Sequence, residues 1–261
     1  MRVDYAGTQV AYGTGSGKWG DGPNILFIHG AGFDHSVWVM PARFFARHGL
    51  NVLAPDLPAH GATGGTALTS INAMADWCAG LCAELLDGPV TVVGHSMGSL
   101  VAMQMALAHP AQVSQVALLG TSTPMPVGAV LLDATEDNDH AGIDMANAWS
   151  HSREGQFGAG AVPGISNLNS GERLLERNAD GVYHADFAAC NAYTLAAELP
   201  DVAILVIAGE EDKMTPARAG LKFASTLSLA ETVLIPGCGH AMLSEKPNEV
   251  LDALAEFVLQ D

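Results

Sequence analysis

Val90-Thr91-Val92-Val93-Gly94-His95-Ser96-Met97-Gly98-Ser99 joins three structural signals in ten residues. An apolar, β-branched run ends in Gly-x-Ser-x-Gly and passes straight into a helical pattern. Gly88-Pro89 bounds the run upstream, as expected of a buried parallel strand. Downstream, Met97, Leu100, Val101, Met105 and Leu107 recur at near-helical spacing until His109-Pro110, where proline closes the helix. Strand, sharp turn and helix in that order form a nucleophile elbow, which presents a serine hydroxyl at the edge of a sheet. The turn leaves no space beside the serine, so glycine suits positions 94 and 98. Ser96 is the expected attacking group. A glycine-rich turn carrying an idle serine would show the same letters, so the reading depends on partners elsewhere in the chain.

A serine hydroxyl is a poor nucleophile near neutral pH. It needs a base within hydrogen-bond reach, and the base needs a carboxylate to orient it. Both should follow later strands, where loops gather at one edge of the sheet. Leu205-Val-Ile-Ala-Gly209-Glu210-Glu211-Asp212 is a strand followed by three carboxylates, and position alone does not choose among them. Val233-Leu-Ile-Pro-Gly-Cys-Gly239-His240 ends another strand in a glycine-flanked turn. Of the histidines, His240 alone completes the order serine, acid, histidine, and it is the expected general base. The tetrahedral intermediate also needs backbone donors. One is expected from the N–H of Met97, directly after the nucleophile. The other is expected from Ala31, or else Gly32, in the turn His29-Gly30-Ala31-Gly32 that follows the apolar run Ile25–Ile28. His29 is expected to brace that loop.

The surrounding sequence supplies a matching frame. Apolar runs at Thr8–Tyr12, Ile25–Ile28, Val52–Ala54, Val90–Val93, Val113–Leu119, Ala203–Ala208 and Glu231–Ile235 alternate with helical stripes such as Asn72–Leu86, Pro216–Thr226 and Asn248–Leu259. That alternation predicts a mostly parallel sheet covered by helices on both faces, with an antiparallel edge at its start. The pattern breaks between about Ser122 and Pro200. Helical pieces are expected there at Ala129–Ala134, Ile143–Ser150, Glu172–Asn178 and Phe187–Leu199, as an insertion between two core strands.

The 261 residues suit one large α/β domain, and 49% apolar with 15% charged residues indicates a well-buried globule. A formal charge of −17 argues against nucleic acid and anionic membrane surfaces as partners. No apolar run approaches the length of a membrane span, and the first residues lack a signal-peptide pattern. Cys78, Cys82, Cys190 and Cys238 fit neither a disulfide framework nor paired zinc spacing, so buried thiols and a cytoplasmic setting are expected, with no metal.

The chain resembles the α/β-hydrolase superfamily, in its branch with a cap domain. The matching pieces are His29-Gly30-Ala31-Gly32 with Trp38, Asp56-Leu-Pro-Ala-His60-Gly61, Gly94-His-Ser96-Met-Gly98, Gly209-Glu-Glu-Asp212 with Pro216, and Gly239-His240 with Glu245 and Pro247. Ala59 departs from the glycine usual in the second piece. The resemblance implies an eight-stranded sheet, a core at residues 1–121 and 201–261, and a cap at 122–200. It assigns the acid to Asp212 and implies a cofactor-free serine hydrolase acting on a small apolar ester. Carbon–carbon bond hydrolases of ring-fission diketones, lactonases and perhydrolases share this triad, and some proteins of the fold serve as ligand receptors. Dehalogenases and epoxide hydrolases of the fold carry aspartate at the elbow, so Ser96 argues against both. Met97, Trp38 and the aromatic and methionine residues of the insertion are candidate lining for an apolar pocket.

Overall fold

The computed structural model describes residues 1–15, 18–158 and 164–260. Residues 159–163, within the insertion, lie outside the described residues. Eight strands form one sheet: β1 (Arg2–Tyr5), β2 (Thr8–Gly13), β3 (Asn24–Ile28), β4 (Asn51–Pro55), β5 (Val90–His95), β6 (Val113–Leu119), β7 (Ala203–Gly209) and β8 (Ala230–Ile235). Their order is β1-β2-β4-β3-β5-β6-β7-β8. β2 runs antiparallel to both its neighbours, and the pairs from β4 to β8 are parallel.

The helices are α1 (Val39–Arg47), α2 (Ile71–Leu85), α3 (Met97–Ala108), α4 (Ala129–Glu136), α5 (His140–Ser150), α6 (Arg153–Gln156), α7 (Asn167–Leu175), α8 (Val182–Ala192), α9 (Ala217–Ala224), α10 (Met242–Glu245) and α11 (Pro247–Val258). Every residue of β3, β4 and β5 is buried. The reason is the double covering. Leu26, Ile28 and Val92 point into a cluster with Met74 and Leu81 of α2 and Leu100 of α3. The alternating Ile25, Phe27 and Val93 point the other way, toward Phe45 of α1 and Leu254 of α11. Alternation sends successive side chains to opposite faces, so a strand covered on both sides must be apolar throughout. No described helix is long and apolar enough to cross a membrane.

Among the described residues, five helices, α4 to α8, lie between β6 and β7. They meet the loops at the carboxyl ends of the strands. Arg153 N–H donates to Glu211 Oε2 at 2.9 Å, and Ala241 N–H donates to the Ser150 carbonyl at 2.7 Å.

The structure differs from expectation in detail. β1 was unforeseen: it is a half-exposed edge strand whose Tyr5 meets Trp77 edge-on, ring centroids 5.6 Å apart. α1 was also unforeseen. Pro41 sits in its first turn, where a missing N–H leaves no helical bond unmade. The helix expected at Phe187–Leu199 instead follows the left-handed Gly181 and stops at Ala192. Tyr193 is extended there, and its hydroxyl donates to Gln104 Oε1 at 2.9 Å, which turns the chain out of the helix.

Candidate active site

Ser96 follows β5 directly and caps α3 with φ 55° and ψ −121°. A positive φ is uncommon for serine and holds the side chain clear of the strand line. Three bonds tie down the strained residue: its N–H donates to the Leu119 carbonyl at 2.9 Å, and its own carbonyl accepts from Ser99 N–H at 2.8 Å and from the Ser99 hydroxyl at 2.5 Å. The glycines beside it are explained by crowding. A Cβ at Gly94 would collide with the Gly98 carbonyl, and one at Gly98 with the carbonyls of Ile28 and His29.

The three carboxylates after β7 have three separate fates. Glu210 Oε2 accepts from Gly237 N–H at 2.9 Å, and Glu211 reaches Arg153 as described. Only Asp212 faces the histidine: His240 Nδ1 donates to its Oδ2 at 2.8 Å. Thr215 Oγ1 lies 2.9 Å from the same oxygen, and the N–H groups of Met214 and Thr215 donate to Oδ1 at 2.8 and 2.7 Å. Burial pushes the Asp212 carboxyl up, but the charge and hydrogen bond of His240 and the bonds from Thr215 outweigh it and hold it below the ordinary 3.8. An ionised carboxylate on Nδ1 leaves Nε2 of His240 as the ring's free acceptor, which is what a general base requires.

Two further residues hold His240 in place. His95 Nε2 donates to the His240 carbonyl at 2.9 Å, and burial with the neighbouring His240 lowers the His95 pKa to about 3. Glu245 is nearly buried, and its Oε2 accepts from Gly239 N–H at 2.6 Å. Its Oε1 accepts from Ser152 N–H at 2.8 Å, so one carboxylate joins the His240 loop to the insertion. Neither role was legible from sequence. His95 occupies a free position of the elbow motif, and Glu245 carried no partner until Ser152 was placed.

The loop after β3 separates the two donor candidates. Gly32 N–H donates to Asp186 Oδ2 of α8 at 2.8 Å, and its carbonyl accepts from Asn178. It is therefore engaged. The N–H groups of Ala31 and Met97 have no hydrogen-bond partner among the described residues. His29 braces the loop as expected: Nδ1 donates to the Gly30 carbonyl at 2.9 Å and Nε2 accepts from Leu57 N–H at 3.1 Å. Burial and the adjacent His60 lower its pKa to about 4, which suits that neutral tautomer.

The sequence pattern of the alpha/beta hydrolase family matches residues 25–253. The chain belongs to that family. It is 27% identical over 257 residues to a pimeloyl-[acyl-carrier protein] methyl ester esterase of Nitrosomonas europaea, covering 88% of this chain and 93% of that one. A protein of the same name from Aromatoleum aromaticum is 29% identical over 251 residues, covering 90% and 98%. Among solved structures, an enol-lactonase from Burkholderia xenovorans superposes with a TM-score of 0.88 at 20% identity, over the whole of both chains. A thermophilic esterase superposes with a TM-score of 0.81 at 25% identity, covering 99% and 96%. This alpha/beta hydrolase is thus a hydrolytic enzyme with esterase relatives.

Two cavities flank the candidate residues of this hydrolase. Ser96 and Ala31 line one of about 120 Å³, with Met125, Trp149, Phe187 and Lys213 also on its wall. His240 lines another of about 320 Å³, which Ser96 does not reach. Trp38 and the Met97 side chain, expected near a pocket, line neither. Both are fully buried in the core, where Trp38 packs on Phe27 with centroids 5.0 Å apart. Phe157 points to solvent, being 84% exposed. All four cysteines are free and buried, and burial pushes the thiols of Cys82 and Cys238 up to about 12.

Proposed function

We propose that this alpha/beta hydrolase cleaves carboxylic esters through an acyl-enzyme on Ser96. The observation that carries the reading is the bond from His240 to an otherwise saturated Asp212, together with a serine held at positive φ at the end of β5. Ser96 Oγ attacks the ester carbonyl while His240 Nε2 takes its proton. Asp212 fixes the tautomer and stabilises the imidazolium. The N–H groups of Ala31 and Met97 receive the oxyanion. The carbonyl re-forms as the carbon–oxygen bond breaks, and His240 returns the proton to the leaving alcohol. Water then attacks the acyl-enzyme by the same route, releasing the acid and restoring Ser96.

No step draws on a cofactor. Residues 1–121 and 201–261 act as the core in this reading, and 122–200 act as the cap that shapes the site. The substrate is a small, largely apolar ester. Relatives named as ester hydrolases support this class. On p-nitrophenyl acetate, Ser96→Ala should lower kcat by about four to six orders of magnitude. Near-normal turnover by that variant would refute the assignment.

One observation favours a second reading. Lys213 lines the Ser96 cavity and could pair with a substrate carboxylate, as a carbon–carbon bond hydrolase of ring-fission diketones would need. Arg153, Arg173 and Arg177 of the insertion line neither cavity. Higher kcat/KM on a vinylogous diketone acid than on simple esters would select this reading.

A further inference from the structure

The two cavities differ in which catalytic group they adjoin, and reaction geometry gives that difference a meaning. A carbonyl carbon attacked by Ser96 carries an oxyanion, an acyl substituent and a leaving oxygen. The oxyanion must face Ala31 and Met97. The leaving oxygen must come within hydrogen-bond reach of His240, because it departs with that proton. A leaving group therefore extends along the His240 side, and the acyl substituent takes the other. The 120 Å³ cavity holds Ser96 and Ala31, whereas the 320 Å³ cavity holds His240 without Ser96. Tyr183 lines the larger and Phe187 the smaller, and their rings pack with centroids 4.5 Å apart, one on each side of the division.

The larger cavity is mostly apolar, with Phe33, Val37, Met40, Leu174 and Leu243 among its walls. One polar group in it is unusual. His151 is 2% exposed, and its Nε2 has no hydrogen-bond partner. Its Nδ1 lies 2.8 Å from the Asn147 carbonyl, which can only accept, so the proton sits on Nδ1 and Nε2 keeps a bare lone pair. The Cε1 edge of that ring faces Gly171, itself on the cavity wall: a Cβ there would stand 3.8 Å from Cε1. A buried acceptor left empty costs free energy that an incoming donor recovers.

We propose that the cavity beside His240 is the leaving-group site, built for a bulky, apolar alcohol bearing one hydrogen-bond donor, with His151 Nε2 as the acceptor of that donor. This rests on the ester-hydrolase reading and adds its substrate class: short acyl groups on large alcohols. Two isomeric esters with the same atoms test the assignment of sides. Benzyl acetate places the ring on the alcohol, and methyl phenylacetate places it on the acyl group. The expected kcat/KM for benzyl acetate is at least roughly tenfold higher, the scale on which pockets discriminate apolar groups. Leu174→Trp, which fills the cavity at a half-buried position, should collapse that ratio. Acetate of 4-(hydroxymethyl)benzyl alcohol should exceed acetate of 4-methylbenzyl alcohol by about fivefold, the worth of one neutral hydrogen bond, and His151→Phe should erase that preference. Equal or reversed rates for the isomers, both abolished by Ser96→Ala, would overturn the leaving-group assignment while leaving ester hydrolysis intact. A hydroxyl preference that survives His151→Phe would overturn the role of His151. If no ester, p-nitrophenyl acetate included, is turned over, the ester-hydrolase reading itself falls and this assignment with it.

Discussion

At the scale of single residues, the proposed chemistry rests on atoms whose partners leave little choice. Asp212 accepts from two backbone N–H groups, a hydroxyl and an imidazole, so its orientation is set before any substrate arrives. Because its carboxyl is held below 3.8, it remains ionised throughout the neutral range. Asp212→Asn keeps the shape but favours the wrong imidazole tautomer, and kcat should fall by roughly 10⁴ with little change in KM. A loss below tenfold in steady-state kinetics would contradict the role. The proposed roles of Ser96 and His240 rest on local sequence patterns: a strand, a glycine-flanked turn and chain order. The choice of Asp212 over Glu210 and Glu211 was not legible from position, since all three follow the same strand. The resemblance to the family assigned it, and in the fold Glu210 is bound to Gly237 and Glu211 to Arg153.

At the scale of elements, the strands from β2 to β8 were read to within two residues at each end, whereas β1 was missed and the inserted helices were read less closely. β6 was expected at Val113–Leu119 and lies there: its covered part, Val116–Leu119, is apolar throughout, and the polar Ser114 and Gln115 stand at its less covered start. The helices of the insertion touch the core on one side only, so their apolar stripes are short and their ends are set by partners distant in sequence. The carboxylate of Glu245 shows how such a partner works, linking α10 to the start of α6. Glu245→Ala would leave the N–H groups of Ser152 and Gly239 buried without acceptors, at roughly 1–3 kcal/mol each. The expected loss is about 2–6 kcal/mol in urea unfolding, along with reduced kcat because Gly239 precedes His240. A change within about 0.5 kcal/mol would argue that the link is incidental.

At the scale of the whole molecule, the insertion and core are joined through ionisable groups buried at their contact. His60 Nε2 lies 2.8 Å from Asp186 Oδ2, and both side chains are almost fully enclosed. Burial lowers the His60 pKa, but the charge and hydrogen bond of Asp186 more than offset this, and the net shift is upward from 6.5. A raised folded value means the pair's contribution to stability is complete below about pH 6.5 and fades as pH rises through the folded value. The melting-temperature gap between the native enzyme and His60→Gln should therefore be largest near pH 6 and narrow by about pH 8.5. A gap that widens with pH would contradict the charged pairing. None of this was visible in sequence: the two residues stand 126 positions apart, and only the folded chain brings the insertion onto the loop that carries Ala31.

The most direct test of the account is covalent. A fluorophosphonate probe reacts with an activated serine and mimics the tetrahedral intermediate. Peptide mass spectrometry of the labelled enzyme should find one adduct, on Ser96, and labelling should vanish in Ser96→Ala and slow sharply in Asp212→Asn. An adduct on another residue, or an unlabelled Ser96 in enzyme that still hydrolyses p-nitrophenyl acetate, would contradict the central claim.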